Sequence, residues 1–108
     1  MEIWLVRHGT TEANLEGRLQ GRLEYSLSLQ GRQEALCVAR RLKKQPFAAI
    51  FSSNQRRARE TACQISALRS GPLPLYSTLL QEYCWGVLQG LTRKEIQKTY
   101  PHLYDRLQ

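Results

Sequence analysis

An α/β fold with a mainly parallel sheet is what this sequence predicts, on three observations. Two short apolar runs rich in β-branched and aromatic residues, Ile3-Trp4-Leu5-Val6 and Phe47 to Phe51, read as buried strands. Each leads into a longer stretch with apolar residues at helical spacing, and strand–helix–strand–helix alternation is the mark of parallel strands joined by crossovers. The first run also turns abruptly polar at Arg7-His8-Gly9, and open α/β sheets bind ligands just beyond the carboxyl ends of their strands. At 108 residues the chain is one domain at most, with a modest core.

Residues 2 to 7 read as the first strand, and residues 9 to 27 as a loop broken by Gly9, Asn14, Gly17 and Gly21. Ser28 is an N-cap candidate for a helix over 29 to 44, whose Ala35, Val38, Ala39 and Leu42 face the sheet. Arg40, Arg41, Lys43 and Lys44 gather at its C-terminal end, where they complement the helix dipole, and Pro46 stops it. Residues 47 to 51 form the second strand, Ser52 and Ser53 are cap candidates, and a second helix runs over 54 to 68 on an Ala58, Ala62, Ile65, Leu68 stripe. The two strands should lie side by side and parallel. Arg57, in the first turn of the second helix, then converges with His8 at one sheet edge, where backbone N–H groups also favour anions. A short strand is expected over Leu75 to Thr78, and an irregular aromatic and glycine-rich segment over 80 to 90, with Tyr83 and Trp85 packed in the core. Thr92 and Glu95 have the capping-box spacing for a helix of about 93 to 99. Pro101 breaks it, and Tyr104 to Gln108 begin another helix.

The net charge of +7 suits acidic ligands, although most of the Lys and Arg residues read as solvated surface. No aromatic residues interleave with the basic ones for base stacking, which argues against nucleic acid. Cys37, Cys63 and Cys84 are odd in number and form no C-x-x-C, so neither a disulfide framework nor a zinc site is expected, and a reducing cytoplasm is. The apolar run before Arg7 is too short for a signal peptide, and no segment has the length of a membrane span. The two histidines, His8 and His102, have no neighbours at metal-ligand spacing, and Gly17 and Gly21 do not form a dinucleotide fingerprint. No cofactor is expected.

Arg7 and His8 suit an anion. Guanidinium offers a rigid fork of donors to phosphate, and neutral imidazole is a nucleophile or acid/base near neutral pH. On their own they equally fit a strand end in a solvated loop. Glu82, alone, reads as an ordinary surface carboxylate.

Four segments in order decide between these readings. Arg7-His8-Gly9-Thr10 with Glu12, Asn14 and Gly17 resembles the opening of the histidine phosphatase superfamily, which includes the phosphoglycerate mutases. Leu27 to Ala35 resembles the family's next block, Ser52 to Ala62 its second arginine motif, and Leu80 to Thr92 its acid motif. The resemblance covers Ile3 to about Tyr104 and implies a three-layer αβα, phosphoglycerate mutase-like fold. It implies His8 as nucleophile, with its second ring nitrogen held by a backbone carbonyl. Arg7 and Arg57 become the phosphate clamp and Glu82 an acid whose pKa is raised by burial near Tyr83 and Trp85. Asn14, Gln20 and Gly21 become substrate contacts. These are the parts phosphoryl transfer needs: an in-line nucleophile, cations on the equatorial oxygens, and an acid for the departing oxygen.

The chain also departs from the family. The family's second histidine, in a Ser-His-Gly-like turn, has no counterpart; His102 sits in Tyr100-Pro101-His102-Leu103 and reads as exposed. The expectation is therefore that residues 1 to 108 are the N-terminal part of a single histidine phosphatase domain, incomplete at the C-terminus, with an open sheet edge prone to self-association. Asn54 and Gln55 stand where the family often has an acid and a leucine, and carry little weight. The expected function is phosphomonoester hydrolysis through a phosphohistidine, on alpha-ribazole phosphate, a sugar phosphate or another small phosphorylated substrate. The alternatives are a truncated, inactive phosphate-binding or partner-associating domain, and mutase-type phosphoryl transfer. Short connections favour the phosphatase branch.

Overall fold

The apolar stripe of α2 (Leu29–Leu42) is what the small core is built on. Ser28 accepts from Gly31 N and starts the helix, and Gly31, Ala35, Ala39 and Leu42 are its buried face. Ala39 and Leu42 meet Ile65 of α3 (Arg56–Ala67), with Val38 and Phe47 packed against them. The two helices pack on one another, and α3 also covers a two-stranded parallel sheet of β1 (Ile50–Ser53) and β2 (Pro74–Ser77). The register pairs Phe51 with Leu75 and Ser52 with Tyr76. The structure, a computed structural model, describes residues 1–107.

The chain then makes two 3₁₀ turns, Thr78–Leu80 and Gly86–Leu88, followed by α4 (Arg93–Thr99) and α5 (Pro101–Arg106). The capping box of Thr92 and Glu95 is formed in full. Pro101 ends α4 and is also the first residue of α5, where its missing N–H costs nothing. Buried Ile96 anchors α4. No helix among the described residues is long and apolar enough to cross a membrane.

Several expectations are corrected. Ile3–Val6 belongs to no sheet, and β1 pairs with β2 rather than with it. A strand is defined by its neighbour's hydrogen bonds, and among the described residues this segment has none. Its side chains are open to solvent, with Ile3 73% and Leu5 93% exposed. The stretch taken as loop holds α1 (Glu12–Glu16), because Asn14 completes a capping box with Thr11 and Gly17 is its left-handed C-cap. The second strand lies three residues later than its hydrophobicity suggests, since Pro74–Ser77 pairs with Ile50–Ser53. Gln55, not Ser52 or Ser53, is the N-cap of α3. Tyr83 is 68% exposed and stacks edge-on against Trp85, centroids 5.0 Å apart, instead of entering the core.

Candidate active site

The turn after Val6 fixes His8 through its neighbours. His8 Nδ1 lies 2.7 Å from the Gly9 carbonyl oxygen. A carbonyl only accepts, so Nδ1 carries the proton and Nε2 keeps its lone pair. Gly9 N donates to Thr61 Oγ1 at 3.1 Å, and Thr10 N donates to Glu34 Oε1 at 2.8 Å. The Ser28 hydroxyl donates to the Thr10 carbonyl at 2.9 Å. The turn thus rests on α2 and α3 together. A Cβ on Gly31 would fall inside van der Waals contact of the Thr10 carbonyl, and one on Gly9 would strike the Gly31 carbonyl. Only two glycines let these backbones meet.

Half-burial pulls the His8 pKa below its usual 6.5, and the Arg57 and Arg7 charges pull the same way. The Gly9 hydrogen bond and the Glu82 carboxylate oppose them without reversing the direction. The imidazole is therefore neutral at neutral pH, the form that has a lone pair to give.

Arg57 is buried, at 3% exposure. Its Nη2 donates to the Gly21 carbonyl at 2.7 Å and its Nη1 to the Leu23 carbonyl at 3.1 Å. Burial lowers its pKa, and Glu82 and Glu24 raise it; guanidinium stays charged regardless. Thr61 Oγ1 donates to the Arg57 carbonyl at 2.9 Å while accepting from Gly9 N, which ties the arginine's helix turn to the histidine's. Arg7 is exposed and lines, with His8, Asn14 and Glu34, a cavity of about 360 Å³.

The remaining expected site residues are placed as follows. Asn14 Oδ1 is used in the α1 capping box, accepting from Thr11 N at 3.0 Å, while the residue borders the His8 cavity. Gln20 is buried and accepts from the Thr11 hydroxyl at 2.8 Å. Gly21, at φ 53°, offers its carbonyl to Arg57 Nη2. Glu82 is exposed, which corrects the expectation of a buried carboxyl; the described chain does not cover it. Its charge nonetheless acts on both His8 and Arg57. His102 is exposed on α5. Among the described residues, no three His, Cys, Asp or Glu side chains gather closely enough to hold a metal ion.

Glu34, Thr61 and Gln55 were missed by sequence reasoning. Thr61 lies one helical turn beyond Arg57 and Glu34 one turn into α2, on the faces turned to the histidine. Helical spacing alone could have flagged both. Gln55 had no such signal.

An imidazole with a free Nε2 beside two guanidiniums, at the edge of an α/β chain, is equipped to hold and attack a phosphoryl group. The chain belongs to the histidine phosphatase superfamily (branch 1), whose profile matches residues 3–108. It is 43% identical over 105 residues to phosphoglycerate mutase-like protein 4 of Arabidopsis thaliana, covering 95% of this chain and 45% of that one. To the metal-independent phosphoserine phosphatase of the same plant it is 39% identical, covering 96% and 44%. Among solved structures, mycobacterial glucosyl-3-phosphoglycerate phosphatase in complex with VO3 superposes with a TM-score of 0.82 at 36% identity, over 93% of this chain and 48% of that one. The fold is thus the α/β, phosphoglycerate mutase-like one, and the chain spans about half the length of the curated relatives it matches.

Proposed function

We propose that this chain acts on small phosphomonoesters through a phosphohistidine at His8. Nε2 attacks phosphorus in line, the phosphorus–ester oxygen bond breaks, and Glu82 gives the departing oxygen its proton. Water then attacks the phosphohistidine, with Glu82 taking a proton back, and inorganic phosphate leaves. Arg7 and Arg57 hold the non-bridging oxygens, Asn14 and Gln20 border the phosphate, and Gly21 fixes the direction of Arg57. One observation carries this reading: the Gly9 carbonyl sets the His8 tautomer so that Nε2 is the nucleophilic atom, in the field of two guanidiniums. Relatives named as phosphatases support it, as does VO3, a phosphate-like oxyanion, in one of their structures. The substrate class is a phosphorylated metabolite of the cytoplasm, such as a sugar phosphate or alpha-ribazole phosphate. The test is rapid quench into alkali, where phosphohistidine survives, followed by mass mapping. Phosphate on His8 that is lost in His8→Ala supports the mechanism. Fast hydrolysis that persists in folded His8→Ala shows that the catalyst lies elsewhere.

A second reading has its own observation. Ile3, Leu5 and Phe51 are exposed, and the sheet among the described residues has only two strands, which favours a chain that binds phosphate and self-associates without turning over. Vanadate binding with no label on His8 would select it.

A further inference from the structure

Gln55 is 3% exposed and stands at the N-cap of α3, yet its side chain makes no capping hydrogen bond. N-caps favour the short side chains of Ser, Thr, Asp and Asn, whose oxygens reach back to the first turn. A buried primary amide is costly unless its donors and acceptors are matched. Here they are matched outside the helix. Nε2 donates to the Gly21 carbonyl at 2.8 Å. Oε1 accepts from the backbone N of Glu82 at 3.1 Å and lies 3.4 Å from Nη2 of Arg57. One side chain therefore touches the turn that orients the clamp, the clamp itself, and the main chain of the acid.

We propose that Gln55 is a positioning residue which holds Glu82 in register with Arg57, so that proton donor and phosphate clamp address the same phosphoryl group. The inference rests on the phosphohistidine reading. Gln55 touches no reacting atom; it acts through the Glu82 main chain. Glu82 and Tyr83 are exposed. Besides Gln55, the segment is held by the Gln81 N–H donating to the Thr78 carbonyl at 3.2 Å and by a long Arg22 Nε contact to the Glu82 carbonyl at 3.4 Å. Among the described residues, the Glu82 carboxylate accepts only from its own neighbour, Tyr83 N, at 2.9 Å. The Gln55 amide is thus the buried anchor of an exposed acid. Without it the carboxylate loses its fixed distance to the departing oxygen, whereas His8 and its tautomer, set by Gly9, are untouched.

Leaving groups separate this role from a general structural one. An aryl phosphate expels a stabilised phenolate and needs little help from an acid, while an alkyl phosphate must expel an alkoxide and depends on proton donation. The experiment measures the rate of His8 labelling by p-nitrophenyl phosphate and by glycerol phosphate in the parent chain, Gln55→Met and Gln55→Leu, with circular dichroism as the check on folding. The expected result is near-parental labelling from the aryl ester and labelling at least about tenfold slower from the alkyl ester, part of the 10²–10⁴ that a positioned acid contributes. Equal slowing with both esters, or none with either, overturns the positioning role and leaves the phosphohistidine reading standing. Loss of the fold in both variants shows that Gln55 is structural and likewise overturns it. A parent chain that labels with neither ester removes the phosphohistidine reading and this inference together.

Discussion

His8 makes the pH dependence of this chain legible at the level of one side chain. Burial and the nearby arginines hold its folded pKa below the 6.5 of the free side chain. The unfolded chain therefore takes up the proton first as pH falls. The stability that neutral His8 contributes is complete above the unfolded value and is lost as pH drops through the depressed folded value. In His8→Ala this component vanishes, so the melting temperature should decline less between about pH 7 and pH 5 than in the parent. Identical declines in thermal melts would contradict the assigned burial. The acid limb of His8 labelling should also lie below 6.5, since only the neutral ring attacks. The Arg57 guanidinium satisfies the Gly21 and Leu23 carbonyls, and in the proposed mechanism it also holds the phosphoryl group. Arg57→Ala should weaken vanadate binding by ~1.5–3 kcal/mol, the usual range for hydrogen bonds to a charged group. Calorimetry on the folded variant checks this; unchanged affinity would remove Arg57 from the site.

At the scale of elements, the docking of α2 against the His8 turn is the joint on which the site depends. Gly31→Ala drives a methyl group into the Thr10 carbonyl. Overpacking of this kind costs ~1–3 kcal/mol, and here relaxation displaces the turn that bears His8. Chemical denaturation and vanadate titration should fall together in this variant. A stable Gly31→Ala protein with parental affinity would show that the two backbones are not in firm contact. The helices were legible because their signals are local: the Ala35, Ala39, Leu42 stripe, the Ser28 cap, and the Thr92–Glu95 box. The sheet was not, because Ile3–Val6 and Phe47 to Phe51 read alike along the chain, and only the second, displaced to Ile50–Ser53, has a partner. α1 was hidden for the opposite reason: Asn14 and Gly17, taken as breakers, are its capping-box partner and its C-cap. The site divides the same way. Arg7, His8, Arg57 and Glu82 stand out by motif, whereas Thr61 serves the histidine turn from 52 residues away and Glu34 from 24, a relation no local window contains.

The whole molecule is more open than its length requires. Its radius of gyration is 15.9 Å, where about 13 Å is usual for a compact chain of this size. It exposes 7751 Å², where a folded monomer of this mass shows roughly 6,200 Å². Part of the surplus is apolar and lies on the sheet. Phe51 and Leu75 are paired in register on one face of the sheet and are 66% and 57% exposed, while α3 covers the other face. Ile3 and Leu5 are exposed on a segment that pairs with no strand among the described residues. Unpaired edges and exposed apolar area are the two features that draw chains together, and the surplus on one chain exceeds the ~800 Å² that each partner buries in a standard interface. The chain at micromolar concentration should therefore sediment as more than a monomer. A lysine on an open edge opposes pairing, so Leu5→Lys should shift the population toward monomer while leaving vanadate affinity at His8 intact, because Leu5 does not line the His8 cavity. Sedimentation velocity across a concentration series reads this directly. A single monomer boundary at every concentration, with Leu5→Lys indistinguishable from the parent, would show that the open face attracts no second copy.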